Sequence, residues 1–416
     1  MEFDFAYGRN TIPVSIDTKN IAAIVTPKLP GSINQAVELA RALGKPINSP
    51  PLREIIKNKR PASIVVLVTD ISRPVPYQEL LVALMEEMQI KSDGKEQIKF
   101  VIATGAHRPN TKQEIEEVFG PLAQSYTFIN HDCDKDLVSV GKLDDGTELW
   151  INKEVAEAEF VIVTSCIMPH NLAGFSGGPK MILPGVAGRS TITANHSMMT
   201  RPRVGPGNIQ NNPISNQILA AARLLGVDFS LHVVLNDQNR IIKCFAGELE
   251  KAWQKGCQYC GTIYRLPFPE PAEVVIAGAG GYPRDLNLYQ AVKALINGAR
   301  LLKPGGTLVL IGECREGMGE PLFKEWLMRG NRPEEMVSNF ERHEFILGGH
   351  KAYVLCQELK NKEVMIISEF AKMKNPVPFL KNALDWSTAE KMVIQKHGPD
   401  YQALLMPLAG LVFPLH

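Results

Sequence analysis

Short apolar runs alternate with amphipathic segments along most of the chain. Residues 63–69 form a continuous β-branched run, as in a parallel strand buried on both faces, and Tyr77–Met88 then places apolar residues at helical spacing. Similar patterns predict strands at 99–104, 160–165, 231–236, 273–277, 307–311 and 363–368, and helices at 112–119, 215–225 and 288–302. Because strands that alternate with helices form parallel sheets, the predicted fold class is α/β.

A proline-rich segment divides this pattern into two parts. Residues 264–271, YRLPFPEP, contain three prolines, a composition typical of a linker between domains. We expect an N-terminal α/β domain over residues 1–265 and a C-terminal α/β domain over residues 272–395. The tail, residues 396–416, is too apolar for a solvent-exposed terminus, and we expect it to pack back on the N-terminal domain.

The near-zero net charge of the chain argues against nucleic acid or a membrane surface as a partner. The 416 residues contain 45 Lys and Arg and 44 Asp and Glu, a net charge of +1, so no overall field exists to hold nucleic acid or an acidic membrane surface. No apolar run approaches the ~18 residues of a membrane span, and the amino terminus lacks the pattern of a secretory signal. Seven cysteines, an odd number, argue against a disulfide framework. We therefore expect a cytoplasmic protein without nucleic-acid or membrane partners.

Polar residues follow the first two predicted strands, at the sheet edge where open α/β folds bind ligands. After the first strand, Asp70 is typical of a helix cap, whereas the guanidinium of Arg73 is suited to grip a carboxylate or phosphate. After the second strand, His107 follows Gly105, which lets a ligand approach the backbone closely. His107 is therefore a candidate for acid/base chemistry, although a lone histidine is more often structural.

The segment after the third strand is the densest in candidate chemistry. Residues 165–180, SCIMPHNLAGFSGGPK, include His170 and Lys180, and a connecting loop needs neither of these side chains. The segment is not a Walker A motif, because its spacing departs from GxxxxGK[ST]. Within it, Gly174, Gly177 and Gly178 with Ser176 form a polar loop whose backbone amides could cradle a phosphate.

The histidines lack the spacing of a metal site built from protein side chains alone. Neither HExxH nor paired CxxC motifs occur, and the single CxxC of Cys257 and Cys260 lies in a predicted helix and is interpreted as structural. His196 is a candidate ligand for a borderline metal such as zinc, nickel or copper. These patterns favour a metal that is carried by a cofactor.

In the second half of the chain, a glycine-rich turn leads into a helix that carries Gln290 and Lys293. The turn is not a dinucleotide fingerprint, because Pro283 stands where GxGxxG requires its last glycine. Gln290 and Lys293 are three residues apart and therefore share a helix face. Their place after a strand end favours a ligand-facing role over a solvated helix face.

Taken together, these motifs resemble those of the nickel-dependent lactate racemase family. They occur in the family's order, and the run at 166–185 is the most specific of them. The matching segments are TDISRP (69–74), TGAHRP (104–109), CIMPHNLAGFSGGPKMILPG (166–185), ANH (194–196) and YQAVKA (289–294). The resemblance implies two α/β domains with the active site in the cleft between them.

The resemblance also implies a nickel pincer nucleotide, a pyridinium mononucleotide whose two sulfur-bearing arms hold nickel. Lys180 would carry this cofactor through a covalent thioamide bond, and His196 would be the protein's ligand to nickel. Asp70 would position Arg73 or the cofactor. Cofactor-biosynthesis proteins would be partners of the chain, because other proteins assemble the cofactor.

By the same resemblance, the substrate is a 2-hydroxy acid, lactate or a related acid. His107 and His170 would be paired acid/bases, and substrate would be bound by Arg73, Gln290 and Lys293. The α-hydrogen of such an acid is barely acidic beside an ionised carboxylate, which favours hydride transfer over proton abstraction. A planar 2-keto acid can then receive the hydride on either face. The expected enzyme is therefore an isomerase, a 2-hydroxyacid racemase.

Three other functions fit parts of the pattern. Lys180 could form a Schiff base with a carbonyl substrate or with pyridoxal phosphate. The chain could instead be a non-catalytic binder of phosphorylated small molecules, and loss of His107 and His170 would then leave ligand affinity intact. A metal-assisted hydrolase that uses His170 and His196 is disfavoured, because no carboxylate ligand motif accompanies them.

Overall fold

The chain forms two compact units, each built around a six-stranded sheet. The central unit is Leu29–Ile263, and the terminal unit combines Met1–Lys28 with Tyr264–His416. Both sheets are mostly parallel and alternate with helices, which confirms the predicted class of two α/β domains. The computed structural model describes residues 1–31, 33–89, 97–369 and 377–414.

The chain begins with strands of the terminal unit. These are β1 (Glu2–Tyr7), β2 (Asn10–Ser15) and β3 (Ile21–Ile24). The central unit then supplies strands β4 (Ile64–Thr69), β5 (Ile98–Ala103), β6 (Thr127–Asn130), β7 (Leu137–Lys142), β8 (Glu148–Asn152), β9 (Phe160–Cys166), β10 (Pro169–His170), β11 (Gly174–Phe175), β12 (Phe229–Leu235) and β13 (Ile241–Gly247). Its helices are α1 (Gln35–Gly44), α2 (Leu52–Lys59), α3 (Tyr77–Met88), α4 (Lys112–Phe119), α5 (Leu122–Ser125), α6 (Lys153–Ala156), α7 (Arg189–Ser197), α8 (Pro213–Leu225) and α9 (Leu249–Tyr264).

The remainder of the terminal unit follows the central unit in the chain. Its strands are β14 (Arg265–Leu266), β15 (Ala272–Gly278), β16 (Leu302–Ile311), β17 (Glu363–Ile367), β18 (Leu380–Ala383), β19 (Ala403–Met406) and β20 (Phe413–Pro414). Its helices are α10 (Leu288–Ala299), α11 (Pro321–Leu327), α12 (Pro333–Glu341), α13 (Gly349–Leu359) and α14 (Trp386–His397). Among the helices of the described residues, none is both long enough and apolar enough to cross a membrane.

The central sheet has the strand order β13-β12-β9-β4-β5-β6. Every residue of β4 and β9 is buried, because helices cover both faces of a parallel sheet, and this explains their unbroken apolar sequences. Only β13 runs antiparallel to its neighbour. Helix α4 begins where the Thr111 side chain caps the N–H of Glu114 and the Glu114 side chain accepts the N–H of Thr111.

The terminal sheet has the order β18-β17-β16-β15-β19-β3, and all its neighbouring strands are parallel. The β1–β2 hairpin adds Phe5 and Val14 to the apolar core that this sheet shares with α14. The Nε1–H of Trp386 at the start of α14 donates to the carbonyl oxygen of Ser15 at 2.6 Å. The first residues of the chain are thereby part of this core.

Both ends of the chain lie in a different unit from the one that the sequence predicted. Strand β19, in the apolar tail, pairs with β15 on one side and with β3 on the other. Both chain ends therefore complete the terminal sheet, and the expectation that the tail packs on the N-terminal domain is wrong. The apolar residues of the tail form a buried strand, and sequence pattern alone does not reveal which sheet such a strand joins.

Candidate active site

Three neighbouring strands of the central sheet end at the same edge. Strand β4 lies between β9 and β5 and is parallel to both. Asp70 directly follows β4, and His107 lies on the loop after β5. The segment with His170 and Lys180 follows β9. This edge is the place where open α/β sheets bind ligands.

Asp70 and His107 form a hydrogen-bonded pair at this edge. Oδ2 of the buried Asp70 lies 2.7 Å from Nδ1 of His107, and Oδ1 accepts the backbone N–H of Ser72 at 2.9 Å. Burial opposes ionisation, but the charge and hydrogen bond of His107, followed by Arg73 and Ser72, hold the pKa of Asp70 well below its usual range. Asp70 is therefore an ionised partner of His107.

Arg73 lies within electrostatic reach of both Asp70 and Lys180. Its Nη1 donates to the hydroxyl oxygen of Ser72 at 3.1 Å, and that hydroxyl donates in turn to Asp70. The positive charge of Arg73 helps to lower the pKa of Asp70 and of Lys180. The structure thus brings Lys180, which follows β9, near Asp70 and Arg73, which both follow β4.

His170 is held by the backbone of a small hairpin. Strands β10 and β11 pair Pro169 with Phe175, and His170 ends the first of them. Its Nδ1 accepts the backbone N–H groups of Leu172 and Ala173, each at 3.2 Å. The ring is therefore fixed by the turn that it belongs to.

Lys180 carries an amine whose surroundings disfavour a positive charge. It lies in a short 3-10 helix, Gly178–Met181, that follows the glycine-rich loop. Burial, with a smaller contribution from the charge of Arg73, lowers the pKa of Lys180 to about 7. A large share of this amine is uncharged at neutral pH, and an uncharged amine is a nucleophile.

The loop before Lys180 is fixed by the hydroxyl and carbonyl of Ser176. The hydroxyl donates to the carbonyl oxygen of Cys166 at 3.1 Å and accepts the N–H of Met168 at 3.0 Å. The Ser176 carbonyl oxygen accepts the indole N–H of Trp253 at 3.0 Å. Both polar groups of this buried serine are thus bonded within the protein.

The two glycines of the loop are also held from within the protein. Gly177 and Gly178 have φ angles of +71° and +54°, which favour glycine over other residues. The N–H of Gly178 donates to Oγ of Ser165 at 3.0 Å, and this oxygen lies 2.8 Å from Nδ1 of the buried His232. These contacts position the backbone that presents Lys180.

Two further contacts hold the segment after Lys180, one from the loop of His107 and one from His131, which directly follows β6. The N–H of Gly105 donates to the carbonyl oxygen of Gly185 at 2.9 Å. Nε2 of the buried His131 donates to the carbonyl oxygen of Ala187 at 3.0 Å. His131 is therefore a structural residue that supports this segment.

The Nδ1 of His196 contacts a backbone carbonyl oxygen of its own helix. It lies on α7, which Asn195 anchors by donating to Oε1 of Gln217 at 2.8 Å. A carbonyl oxygen can only accept, so the 3.1 Å contact between Nδ1 of His196 and the oxygen of Ile192 places a proton on Nδ1. The lone pair is then on Nε2, the arrangement in which a neutral histidine binds a metal.

Gln290 and Lys293 belong to the terminal unit, where they lie in the first two turns of α10. The helix starts at Asn287, whose side chain accepts the backbone N–H of Gln290 at 3.0 Å. Gln290 is buried and Lys293 is half-buried. The expected placement on a helix that follows a glycine-rich strand end is therefore observed.

Trp253 and His232 support the lysine loop, and sequence analysis missed both. They contact Ser176 and Ser165, which are 77 and 67 positions away in the chain. A single sequence contains no local pattern that marks such a distant pair. A buried polar residue in a mostly apolar strand, as His232 is in β12, was the one available signal.

Comparison with known proteins identifies the family. Residues 7–207 match the lactate racemase N-terminal domain, and residues 269–408 match the lactate racemase C-terminal domain. The chain belongs to the lactate racemase family. Members of this family are isomerases, and the motifs that suggested the family lie within the two matched regions.

Two curated members of the lactate racemase family are similar over most of the chain. The lactate racemase of Thermoanaerobacterium thermosaccharolyticum is 33% identical over 378 residues, 88% of each chain. The lactate racemase of Lactiplantibacillus plantarum is 32% identical over the same length and with the same coverage.

Solved structures show the same fold. The lactate racemase apoprotein of T. thermosaccharolyticum superposes with a TM-score of 0.89, at 30% identity and over 100% of both chains. A protein from Thermotoga maritima has a TM-score of 0.66 at 17% identity, over 88% of this chain and 96% of that one. The second likeness concerns the fold alone.

Proposed function

We propose that this chain racemises lactate or a closely related 2-hydroxy acid. The observation that carries the proposal is the ionised Asp70 hydrogen-bonded to His107, 2.7 Å apart, at the ligand-binding edge of the central sheet in a lactate racemase family member. Two relatives named lactate racemase, each matched over 88% of this chain, support lactate as the substrate.

The residues of the central unit fit a lysine-tethered nickel cofactor of the kind that the family resemblance implies. We assign Lys180, whose amine has a pKa of about 7, to its covalent attachment. We assign His196 to nickel, because the bond from its Nδ1 to the oxygen of Ile192 leaves the Nε2 lone pair for a metal. When bound, a nickel pincer nucleotide supplies an acceptor that takes the hydride from the α-carbon and returns it to either face.

Side chains of the protein accept and return the hydroxyl proton of the substrate. His107, oriented by Asp70, takes the hydroxyl proton while the 2-hydroxy acid becomes a planar 2-keto acid, and it returns this proton when the hydroxyl forms again. His170 is the second member of the acid/base pair. The proton and the hydride both leave and both return, so the reaction is an isomerisation without net oxidation.

Other side chains neutralise the carboxylate of the substrate and position the substrate and the cofactor. Arg73 and Lys293 would neutralise the substrate carboxylate, and Gln290 would hydrogen-bond to it. The loop that contains Ser176 and Gly178 holds the backbone before Lys180, so we assign it to cofactor binding through that lysine.

Cofactor-biosynthesis proteins are proposed partners, because a covalently attached nucleotide with a nickel–sulfur centre must be assembled before or during attachment. Coexpression tests this assignment. The chain produced with a complete set of such proteins should racemise lactate, and the chain produced without them should not.

Mass spectrometry and a nickel assay test the cofactor assignment. In protein isolated from its own host, we expect an adduct on Lys180 with one nickel per chain. Lys180→Arg should lose both, whereas Lys153→Arg, at an exposed lysine on α6, should keep both. Protein that racemises lactate with an unmodified Lys180 and no nickel would contradict the cofactor assignment.

The lowered pKa of Lys180 also favours one alternative, a Schiff-base enzyme that acts on a carbonyl compound. Borohydride distinguishes the two functions. A Schiff-base enzyme would be inactivated only in the presence of its carbonyl substrate, with the reduced substrate found on Lys180. The racemase should retain its native adduct on that residue instead.

A further inference from the structure

A small hairpin carries His170, and its own hydrogen bonds are too few to fix its place. Strands β10 and β11 pair over only two positions, Pro169 with Phe175 and His170 with Gly174. Because even longer isolated hairpins are only marginally stable in water, contacts from outside must hold this one. The place of His170 in the central unit therefore depends on the segments that pack against the hairpin.

The segment after His196 supplies contacts of this kind. Residues 198–212 connect α7 to α8. The N–H of Gly207 donates to the carbonyl oxygen of Gly174 at 2.9 Å. A Cβ at Gly174 would lie 2.3 Å from the carbonyl oxygen of Asn208, so the two backbones are in direct contact.

Asn212, at the end of this segment, is hydrogen-bonded through both polar atoms of its side chain. The residue is fully buried. Its Nδ2 donates to the carbonyl oxygen of Leu172, in the turn of the hairpin, at 2.7 Å and to that of Asn208 at 2.9 Å. Its Oδ1 accepts the N–H groups of Ile214 and Ser215 at 3.0 and 3.3 Å, which caps α8. One side chain thereby joins the hairpin, the segment after His196 and the start of a helix.

The bond to Leu172 reaches His170 through one peptide unit. The carbonyl of Leu172 and the N–H of Ala173 belong to the same planar peptide, so a bond that fixes the first also fixes the second. That N–H contacts Nδ1 of His170 at 3.2 Å. Asparagine is suited to this position, because its amide donates two N–H groups and its oxygen still accepts, whereas an ionised aspartate can only accept.

We propose that Asn212 is a positioning residue of the reaction: its side-chain amide holds the hairpin of His170 in place against the segment that follows His196. The proposal rests on the proposed racemase function and adds to it a residue that acts through the hairpin. The cap on α8 supports folding, whereas the bonds from Nδ2 affect the site. These two roles use different atoms of one side chain, so substitution can separate them.

Hydrogen exchange of the apoprotein tests the hairpin contact without any turnover. Asn212→Ser keeps a good helix cap but removes both bonds from the amide. Mass spectrometry should show the backbone N–H groups of residues 169–175 exchanging about tenfold faster in this variant, the effect of one lost hydrogen bond. Asn34→Ser makes the same substitution at the exposed cap of α1 and should leave exchange in the hairpin unaltered. Unaltered exchange of the hairpin in Asn212→Ser would overturn the proposal.

Kinetics of the cofactor-loaded enzyme show whether the contact matters to the reaction. A misplaced His170 affects the chemical step more than substrate binding, so Asn212→Ser should lose about tenfold in kcat per bound nickel with KM nearly unchanged. Asn212→Asp, which also keeps the cap and lacks the amide, should show the same split. A purely structural role would lower Tm and leave kcat per bound nickel unchanged, and that result would overturn the proposal.

Failure of the proposed function gives a different result. If no loaded protein, including the unmodified chain, racemised any 2-hydroxy acid, the racemase function would fail, and with it the role of Asn212 in that reaction. Faster exchange of the hairpin in Asn212→Ser would still establish the contact itself. Racemisation by the unmodified chain together with an unaffected Asn212→Ser would contradict the positioning role alone.

Discussion

Lys180 shows how one residue's chemistry follows from its surroundings. The side chain is half-buried, and its burial together with the positive charge of Arg73 disfavours the ammonium form of the amine. The pKa of the amine is therefore about 7 instead of its ordinary value near 10.5. Covalent attachment of a cofactor at neutral pH needs such an uncharged amine.

The pH dependence of amine labelling tests this account of Lys180. In apoprotein treated with a trace of acylating reagent, labelling of Lys180 should rise with pH and reach half its maximum near pH 7. Arg73→Gln should shift this midpoint upward, because a repulsive charge is removed. Arg108→Gln, at an arginine paired with Glu114, should leave it unchanged. A midpoint near that of an ordinary lysine in the unmodified protein would contradict the account.

Sequence reasoning named candidate reactive residues but not their hydrogen-bond partners. His107, His170, Lys180 and His196 stand in motifs that can be read directly from the chain. The bond between Asp70 and His107 joins residues 37 positions apart and exists because β4 and β5 are neighbours in the sheet. Such a pairing depends on strand order, which the sequence pattern does not specify.

At the scale of elements, the glycine-rich loop connects β9 to the helix of Lys180. A sequence with two adjacent glycines and a serine is typical of a phosphate-binding loop, but the sequence alone does not show which contacts require the glycines. In this loop, glycine is required at position 178 by its positive φ angle and by the close approach of Trp253. Regular elements were easier to predict: Tyr77–Met88 and 112–119 agree with α3 and α4, since their amphipathic patterns are local.

Two alanine substitutions separate the two reasons why position 178 requires glycine, its positive φ angle and the nearby Trp253 ring. A Cβ at this position would lie 2.3 Å from the Trp253 ring, and its φ of +54° is unfavourable for alanine. Gly146 has a φ of +84° but no described atom within 4 Å of its Cβ position. Gly146→Ala should therefore cost only about 1–2 kcal/mol of stability, from its backbone conformation.

Gly178→Ala should cost a further ~1–3 kcal/mol, because alanine also overpacks the loop against the indole ring. Thermal unfolding should show the larger decrease in Tm for Gly178→Ala, and labelling of Lys180 should change in that variant alone. Equal decreases in Tm would mean that the indole does not limit the loop.

At the scale of the whole molecule, the chain builds two α/β units and returns to the terminal unit at its end. The proline-rich segment marks the passage between units correctly, near residue 264. The sequence pattern did not reveal that β3 and the tail strand β19 are neighbours in one sheet, because most of the chain lies between them. Their pairing is set by a core that includes Phe5, Val14 and Leu405.

Racemisation of enantiopure lactate in D₂O by the cofactor-loaded protein tests the central claim most directly. Hydride transfer carries the α-hydrogen away and returns it, so the product enantiomer should retain protium at the α-carbon. The hydroxyl proton, which passes through His107, exchanges with solvent and does not affect the isotope at the α-carbon. NMR of the separated enantiomers measures the isotope at that carbon. Deuterium at the α-carbon of the product would show that a base removes the α-proton, and it would contradict the mechanism proposed for this chain.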